Sequence, residues 1–204
     1  MKIITIGREF GSGGRELGKR LAELTGFDYY DQEILHAIAE KKEHTSGYVE
    51  SAVAFHAWRT FPLVFHHSFA NEHAIHTNEL IAQKEVLEEI AAQGKDCIII
   101  GQDADVILKK ESPFRIFVCA ELDARVRRCM ERAEGKEAEF TEKEMKRNIK
   151  RIDKYRAQTR ELVSGSKWGT REGYDLIVNS TDWQIKDLAV ALKEYMDHWY
   201  DRKN

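Results

Sequence analysis

Ile3-Ile4-Thr5-Ile6-Gly7-Arg8-Glu9-Phe10-Gly11-Ser12-Gly13-Gly14-Arg15 is the stretch on which the fold turns. Its apolar, β-rich start predicts a buried strand, and the glycine cluster predicts a tight loop. Leu17, Leu21 and Leu24 then recur at helical spacing across Arg15 to Leu24. A loop between a first strand and a first helix offers backbone N–H groups and a helix N-terminus to an anion. Glycine suits that loop because a Cβ would keep the main chain from closing around phosphate oxygens. The usual phosphate loop reads Gly, four residues, Gly-Lys, then Ser or Thr. Aligned on Ser12-Gly13, Gly14 stands here at the lysine, Arg15 stands at the hydroxyl, and Gly7 comes one residue early. Arg8, Arg15 or Lys19 would then supply the missing positive charge. The competing reading is a glycine-rich turn with no ligand.

Outward from the loop, strands and helices alternate. Gly26 stops the first helix, Phe27 to Tyr30 predicts a second strand, and Gln32 to Lys42 resumes helical periodicity. A strong helix is expected over Glu79 to Ala92, then a continuous apolar strand at Cys97 to Ile100, of the kind buried on both faces in a parallel sheet. Asp103 to Leu108 reads as a short helix, Arg115 to Cys119 as a strand, and Leu122 to Ala133 as a helix carrying Arg125, Arg127, Arg128 and Arg132. Thr141 and Glu144 have capping-box spacing ahead of a long helix to about Val163. Tyr174 to Val178 is the last strand, and Thr181 with Gln184 repeats the capping pattern before a terminal helix through Ala189, Leu192 and Met196. Such alternation predicts an α/β fold with a parallel sheet and right-handed crossovers.

The chain's 204 residues fit one domain with an inserted segment rather than two independent enzymes. Hydrophobic residues at 42% are enough to bury a core and too many for a disordered chain. Thirty-two Lys and Arg against 35 Asp and Glu leave a net charge of −3, so no global basic field points to nucleic acid or acidic membranes, and phosphate affinity must be local. Cys97, Cys119 and Cys129 are odd in number and lack metal spacing, which fits a reducing compartment. The apolar runs fall far short of the roughly 20 residues a membrane span needs, so a cytoplasmic location is expected.

Thr5 to Gly18 resembles the opening of the cytidylate kinase-like family, a branch of the P-loop nucleoside monophosphate kinases whose members also lack the usual lysine. Three further blocks are similar in order: Tyr29-Tyr30-Asp31-Gln32-Glu33-Ile34-Leu35, Ile98 to Leu108, and Gly165-Ser166-Lys167-Trp168-Gly169 followed by Tyr174 to Ser180. The likeness spans nearly the whole chain except 44–78. It implies a three-layer P-loop kinase fold with helices on both faces of the sheet, a helical acceptor-side insert and an arginine-bearing lid over about 127–140. The core would then comprise about 1–43 and 79–204.

Kinases of this kind are implied to use ATP and Mg²⁺ and to phosphorylate a small acceptor, a nucleoside monophosphate being the expected one. Transfer of a phosphoryl group demands in-line placement and charge neutralisation more than covalent chemistry, so arginines are the residues to count. Gly11, Ser12, Gly13, Gly14, Arg15 and Glu16 are the expected ATP contacts, and Arg127, Arg128 and Arg132 fall where the resemblance puts the lid. A solvated helix face answering Glu131, Glu134 and Glu137 is the other reading of those three arginines.

Asp153 and Arg156, three apart, match the Asp-x-x-Arg that contacts the acceptor in cytidylate kinases proper, or form an ordinary intrahelical ion pair. Ile149 stands where that pattern has a further arginine, and Gln102 stands where both groups have one, which counts against CMP itself. Asp103 and Asp105 are candidates to orient Mg²⁺ through water, Asp105 alternatively being a helix N-terminal carboxylate. Asp31 is a candidate acceptor contact or a local turn cap. The departures at Gly14 and Gln102 leave a catalytically weak nucleotide-binding protein as the rival to an enzyme.

The segment 44–78 holds six of the eight histidines, and Phe55, Trp58, Phe61, Phe65 and Phe69 recur every three or four residues. Such a stripe predicts core or helix contacts, a homodimer face, or an acceptor-pocket lining. His66, His67, His73 and His76 raise a metal-dependent enzyme as a third class, with no cysteine to join them.

Overall fold

The computed structural model describes residues 1–31, 34–35, 77–101, 103–133 and 140–202. Five strands, β1 (Ile3–Arg8), β2 (Asp28–Asp31), β3 (Cys97–Ile100), β4 (Phe114–Cys119) and β5 (Leu176–Asn179), form one all-parallel sheet in the order β2-β3-β1-β4-β5. The helices with described bounds are α1 (Gly14–Thr25), α2 (Thr77–Ala92), α3 (Ala104–Ile107), α4 (Leu122–Ala133), α5 (Glu142–Ser164) and α6 (Ile185–Asp201). Short 3₁₀ turns lie at Lys109–Glu111 and Arg171–Gly173.

The alternation of side chains along β1 explains the layers. Ile4 and Ile6 face Leu17 and Leu21 of α1 and Leu188, Leu192 and Met196 of α6, together with Ile98, Ile100, Phe114, Ile116 and Val118. Ile3, Cys97 and Ile99 face the other way, against Val86, Leu87 and Ile90 of α2 and Ala104 of α3. Both faces are therefore covered, as a parallel sheet requires. Gly18 allows the closest approach of α1, since a Cβ there would come 2.2 Å from Ile100 Cδ1. A third apolar group, Val126 and Cys129 of α4 with Met145 and Ile149 of α5, closes beneath Phe10 of the loop. Ile149, which replaces an expected arginine, is thus a fully buried packing residue.

The chain leaves the central strand β1 on one side toward β3 and β2 and later on the other toward β4 and β5, so the carboxyl ends around β1 form a topological switch point. Gly26 ends α1 in the left-handed conformation, its N–H reaching Ala22 O, and the Thr141–Glu144 capping box forms at α5. The second predicted capping box does not. Helix α6 starts three residues later than expected, with Gln184 as its N-cap and no side-chain cap bond. Thr181 Oγ1 instead donates to Asn179 Oδ1 at 2.6 Å and accepts from Glu121 N at 2.9 Å, holding the β5 exit to α4. The histidine and aromatic stripe to His76, most of the expected 32–42 helix, Gln102 and the lid residues 134–139 lie outside the described residues. Among the described residues no helix is long and apolar enough to cross a membrane.

Candidate active site

The loop between β1 and α1 is held by its neighbours rather than by itself. Glu9 N donates to Val118 O at 3.0 Å, Glu9 Oε2 accepts from Ala120 N at 2.9 Å, and Phe10 N donates to Asp153 Oδ1 at 2.8 Å. Ser180 Oγ, at the end of β5, donates to Ser12 O at 2.6 Å. The Ser12 hydroxyl turns inward to Glu9 O at 2.8 Å, so Ser12 presents main chain, not side chain, to anything above the loop. Gly13 is the N-cap of α1 at φ 83° and brings no side-chain cap. The N–H groups of Gly13, Gly14 and Glu16 consequently have no acceptor among the described residues. Uncapped N–H groups at a helix start, together with the helix dipole, suit an anion.

Packing gives the glycines a further reason, beside the phosphate approach expected from the sequence. A Cβ on Gly11 would lie 2.9 Å from Cys129 Sγ, one on Gly13 2.5 Å from Ile185 Cδ1, and one on Gly14 2.7 Å from Arg8 Cβ. Each collides with protein, on α4, α6 and β1 respectively. Gly11 and Gly13 also have positive φ, so a substitution at either is strained as well.

A network of arginines and carboxylates borders the loop. Arg15 Nε and Nη2 both bind Asp31 Oδ2, at 2.8 and 2.7 Å, while Asp31 Oδ1 accepts from Ile34 N at 3.1 Å. Asp31 is therefore both a turn cap and an ion-pair partner, and Tyr29 OH joins it at 3.3 Å. Asp153 Oδ2 pairs with Arg125 Nη1, whose other contact is Phe10 O at 3.3 Å. The expected Asp153–Arg156 pair is loose, at 3.9 Å, and Arg156 Nη1 instead donates to Arg8 O at 2.9 Å. Arg156 is buried with Nε unpartnered. Burial, and then the neighbouring Arg8 charge, push its pKa down to about 9. Burial lowers the Arg8 pKa too, partly offset by Tyr29 and Asp31.

On the other side of β1, buried Arg160 of α5 grips Asp105 with two hydrogen bonds of 2.7 and 2.8 Å. Asp105 is thus an ion-pair partner rather than a free helix-start carboxylate. Asp103 is left with only a 3.7 Å approach to Arg160 and an unpartnered Oδ1. Burial raises its pKa to about 6, with Arg160 opposing. The Tyr174 ring closes this side against Gly7, its hydroxyl 3.2 Å from the place a Cβ would occupy.

The three arginines expected in a lid separate. Arg132 Nη2 binds Glu16 Oε2 at 2.6 Å, which ties α4 to the first turn of α1. Glu16 Oε1 also takes Arg20 at 2.9 Å. Arg128 donates to the carbonyls of Ser180, Thr181 and Trp183, at 3.2 Å for Thr181 and 3.3 Å for Trp183, and so shapes the turn before α6. Arg127 is exposed and has no such partner among the described residues.

The structure thus brings Arg15, Asp31, Asp153 and Arg156 to one rim of the loop and Asp103 to its neighbouring edge. Arg125, Arg160 and Tyr174 were not singled out from the sequence. The available signal was spacing: Asp153, Arg156 and Arg160 recur at helical intervals along one stripe of α5. Among the described residues no group of three or more His, Cys, Asp or Glu is placed to hold a metal by itself.

Comparison with known proteins fits this architecture. The sequence profile of the cytidylate kinase-like family matches residues 3–182. The structure resembles that of an uncharacterized protein from Eubacterium ventriosum, 25% identical with a TM-score of 0.70, over 97% of this chain and 99% of that one. It also resembles shikimate kinase from Bacteroides thetaiotaomicron, 17% identical with a TM-score of 0.53, over 96% of this chain and 98% of the other. The third is shikimate kinase from Acinetobacter baumannii in complex with shikimate, 14% identical with a TM-score of 0.50, over 96% and 92% of the two chains. The two shikimate kinases bear on the fold alone. A search of curated proteins finds no match.

Proposed function

Since the chain belongs to the cytidylate kinase-like family, we propose that it transfers the γ-phosphoryl group of ATP to a small anionic acceptor, a nucleoside monophosphate in the first instance. The observation that carries this reading is the rim of Arg8, Arg15 and Arg156 around an uncapped helix start. With Arg15 bound to Asp31 and Asp153 beside Arg156, the Arg8 guanidinium and the unclaimed N–H groups are still left over beside the loop.

In this reading Gly11 to Glu16 hold the donor phosphates through main-chain N–H groups. Arg132, joined to Glu16, stands nearest that loop, and Arg127 and Arg128 complete the arginine set on the same helix. Asp31 orients the acceptor, with Arg15 fixed against it, and Arg156 lies on the acceptor side near Asp153. Asp153 acts mainly by anchoring Phe10 and Arg125, which keeps the loop in shape. Mg²⁺ would neutralise charge on the donor phosphates, and Asp103, the carboxylate with a free oxygen, fits a hydrated ion that typically takes one or two carboxylates plus phosphate oxygens. The insert 44–78 and the lid 127–140 would cover the two ligands within one domain.

Phosphorus NMR of the purified protein with Mg²⁺-ATP and a panel of nucleoside monophosphates tests the reading. Appearance of ADP and a nucleoside diphosphate is expected. Tight ATP binding with no turnover on any acceptor would make the protein a nucleotide binder of the same fold, and absence of ATP binding would end the kinase reading.

A further inference from the structure

We infer that Arg8, the last residue of β1, supplies from the strand the phosphate-binding cation that the loop lacks at position 14. The inference rests on the phosphotransferase reading and names the residue that replaces the missing lysine. Gly14 stands at the position of that lysine, and a Cβ built on it lies 2.7 Å from Arg8 Cβ and 3.2 Å from Arg8 Cγ. The Arg8 side chain therefore fills the space into which a residue-14 side chain would grow. The tightest contact is with the Cβ of residue 8, so position 14 stays glycine while position 8 carries a side chain.

The remaining cations are engaged elsewhere or stand further off. Arg15 is bound through Nε and Nη2 to Asp31, and Arg125 is bound to Asp153 and Phe10 O. Lys19 lies five residues along α1 from Gly14, about 7.5 Å up the helix axis and turned to another face. The Arg8 guanidinium has no hydrogen bond or ion pair among the described residues. It is half-buried, and the charged groups acting on it are Asp31, Arg15 and Asp153. Half-burying an unpaired guanidinium is unfavourable in the empty protein and favourable once an anion occupies the adjacent N–H groups.

The test uses Arg8→Ala, Arg8→Gln, Gly14→Lys and the double variant Arg8→Gly/Gly14→Lys in the full chain. Calorimetry reads binding of Mg²⁺-ATP and of inorganic tripolyphosphate, and thermal unfolding without ligand checks the fold. Arg8→Ala and Arg8→Gln should unfold at or above the wild-type temperature, because an uncompensated charge has been removed. Both should bind Mg²⁺-ATP roughly 10- to 100-fold more weakly, the range expected for one charge-assisted contact. Gly14→Lys alone should be destabilised by collision with Arg8. The double variant should regain affinity to within a few fold of wild type, since glycine at position 8 also removes the Cβ that a residue-14 side chain would strike and the ammonium then grows from the standard place into vacated space.

Affinity in Arg8→Ala within about twofold of wild type would overturn the assignment, as would a double variant no tighter than Arg8→Ala. Lowered unfolding temperatures in both Arg8 variants would also overturn it, by showing the cation to be compensated in the empty protein. If wild type binds neither Mg²⁺-ATP nor tripolyphosphate, the phosphotransferase reading itself fails. If wild type binds and Arg8→Ala binds equally, only the role of Arg8 falls.

Discussion

Replacing Asp153 by asparagine removes one negative charge but keeps the side-chain shape and an acceptor oxygen. Asp153 Oδ1 accepts from Phe10 N at 2.8 Å, and its other oxygen pairs with Arg125, with side-chain exposures of 13% and 9% for the two partners. Arg156 stands 3.9 Å away. At that separation and an effective dielectric of about 20, each opposite charge contributes about 4 kcal/mol of gross attraction. The carboxylate's own desolvation cancels much of this. Breaking one partner of a buried pair typically costs about 3–5 kcal/mol. The lower end applies to Asp153→Asn because the Phe10 hydrogen bond survives. In a chain of 204 residues a loss of about 3 kcal/mol lowers the unfolding midpoint by roughly 6–12 °C. Asp153→Ala also loses the Phe10 bond and should fall further, by about 1–3 kcal/mol. Scanning calorimetry at low salt and at about 0.5 M salt reads both, and burial predicts that the loss persists at high salt. An Asp153→Asn midpoint within about 1 °C of wild type would refute the reasoning, as would a loss that salt abolishes.

Other perturbations probe the remaining parts of the site. Asp103 titrates at about 6 in the fold and near its ordinary value of about 4 when unfolded, so the folded protein holds that proton more tightly. The stability linked to it is complete below about pH 4 and is lost as pH rises through about 6, by about 3 kcal/mol at most. Asp103→Asn should erase that loss, and a variant-minus-wild-type midpoint difference that stays flat from about pH 4 to 7 would exclude it. Arg160→Leu leaves Asp105 buried without its two hydrogen bonds and should cost about 3–5 kcal/mol, read by urea unfolding; a change below about 1 kcal/mol would contradict the pairing. Gly13→Ala combines a left-handed φ of 83° with a 2.5 Å collision at Ile185 Cδ1. It should lower stability by about 2–4 kcal/mol and weaken ATP binding, and in an Ile185→Ala background, which removes both Cδ1 and the Cγ1 at 2.9 Å, only the collision should be relieved; no loss from Gly13→Ala in that background would show that backbone conformation contributes nothing.

The resemblance and the alternation of strand and helix were legible because they are local. Ile3 to Ile6, Cys97 to Ile100 and Arg115 to Cys119 carry the apolar runs of doubly covered strands, and each appears in the sheet within a residue or two of its expected bounds. Thr141 and Glu144 announced a cap that forms, because its partners are three residues apart. Thr181 and Gln184 had the same spacing and formed none, because Thr181 is claimed by Asn179 and Glu121, the latter 60 residues away in the chain.

Sequence alone, then, determined the α/β class, the family and the position of the glycine-rich turn between the first strand and the first helix, since all three rest on residues that are neighbours along the chain. Tertiary structure decided which side chains are free to act. Asp31, Asp105 and Arg128 turn out to be tied to partners 16, 55 and 52 positions distant. Asp103 keeps a buried oxygen without a hydrogen bond, and the Arg8 guanidinium makes none among the described residues. Pairing among charged groups depends on distance in space, falling off within a few ångströms, and no periodicity along a sequence encodes which distant arginine a given carboxylate will meet.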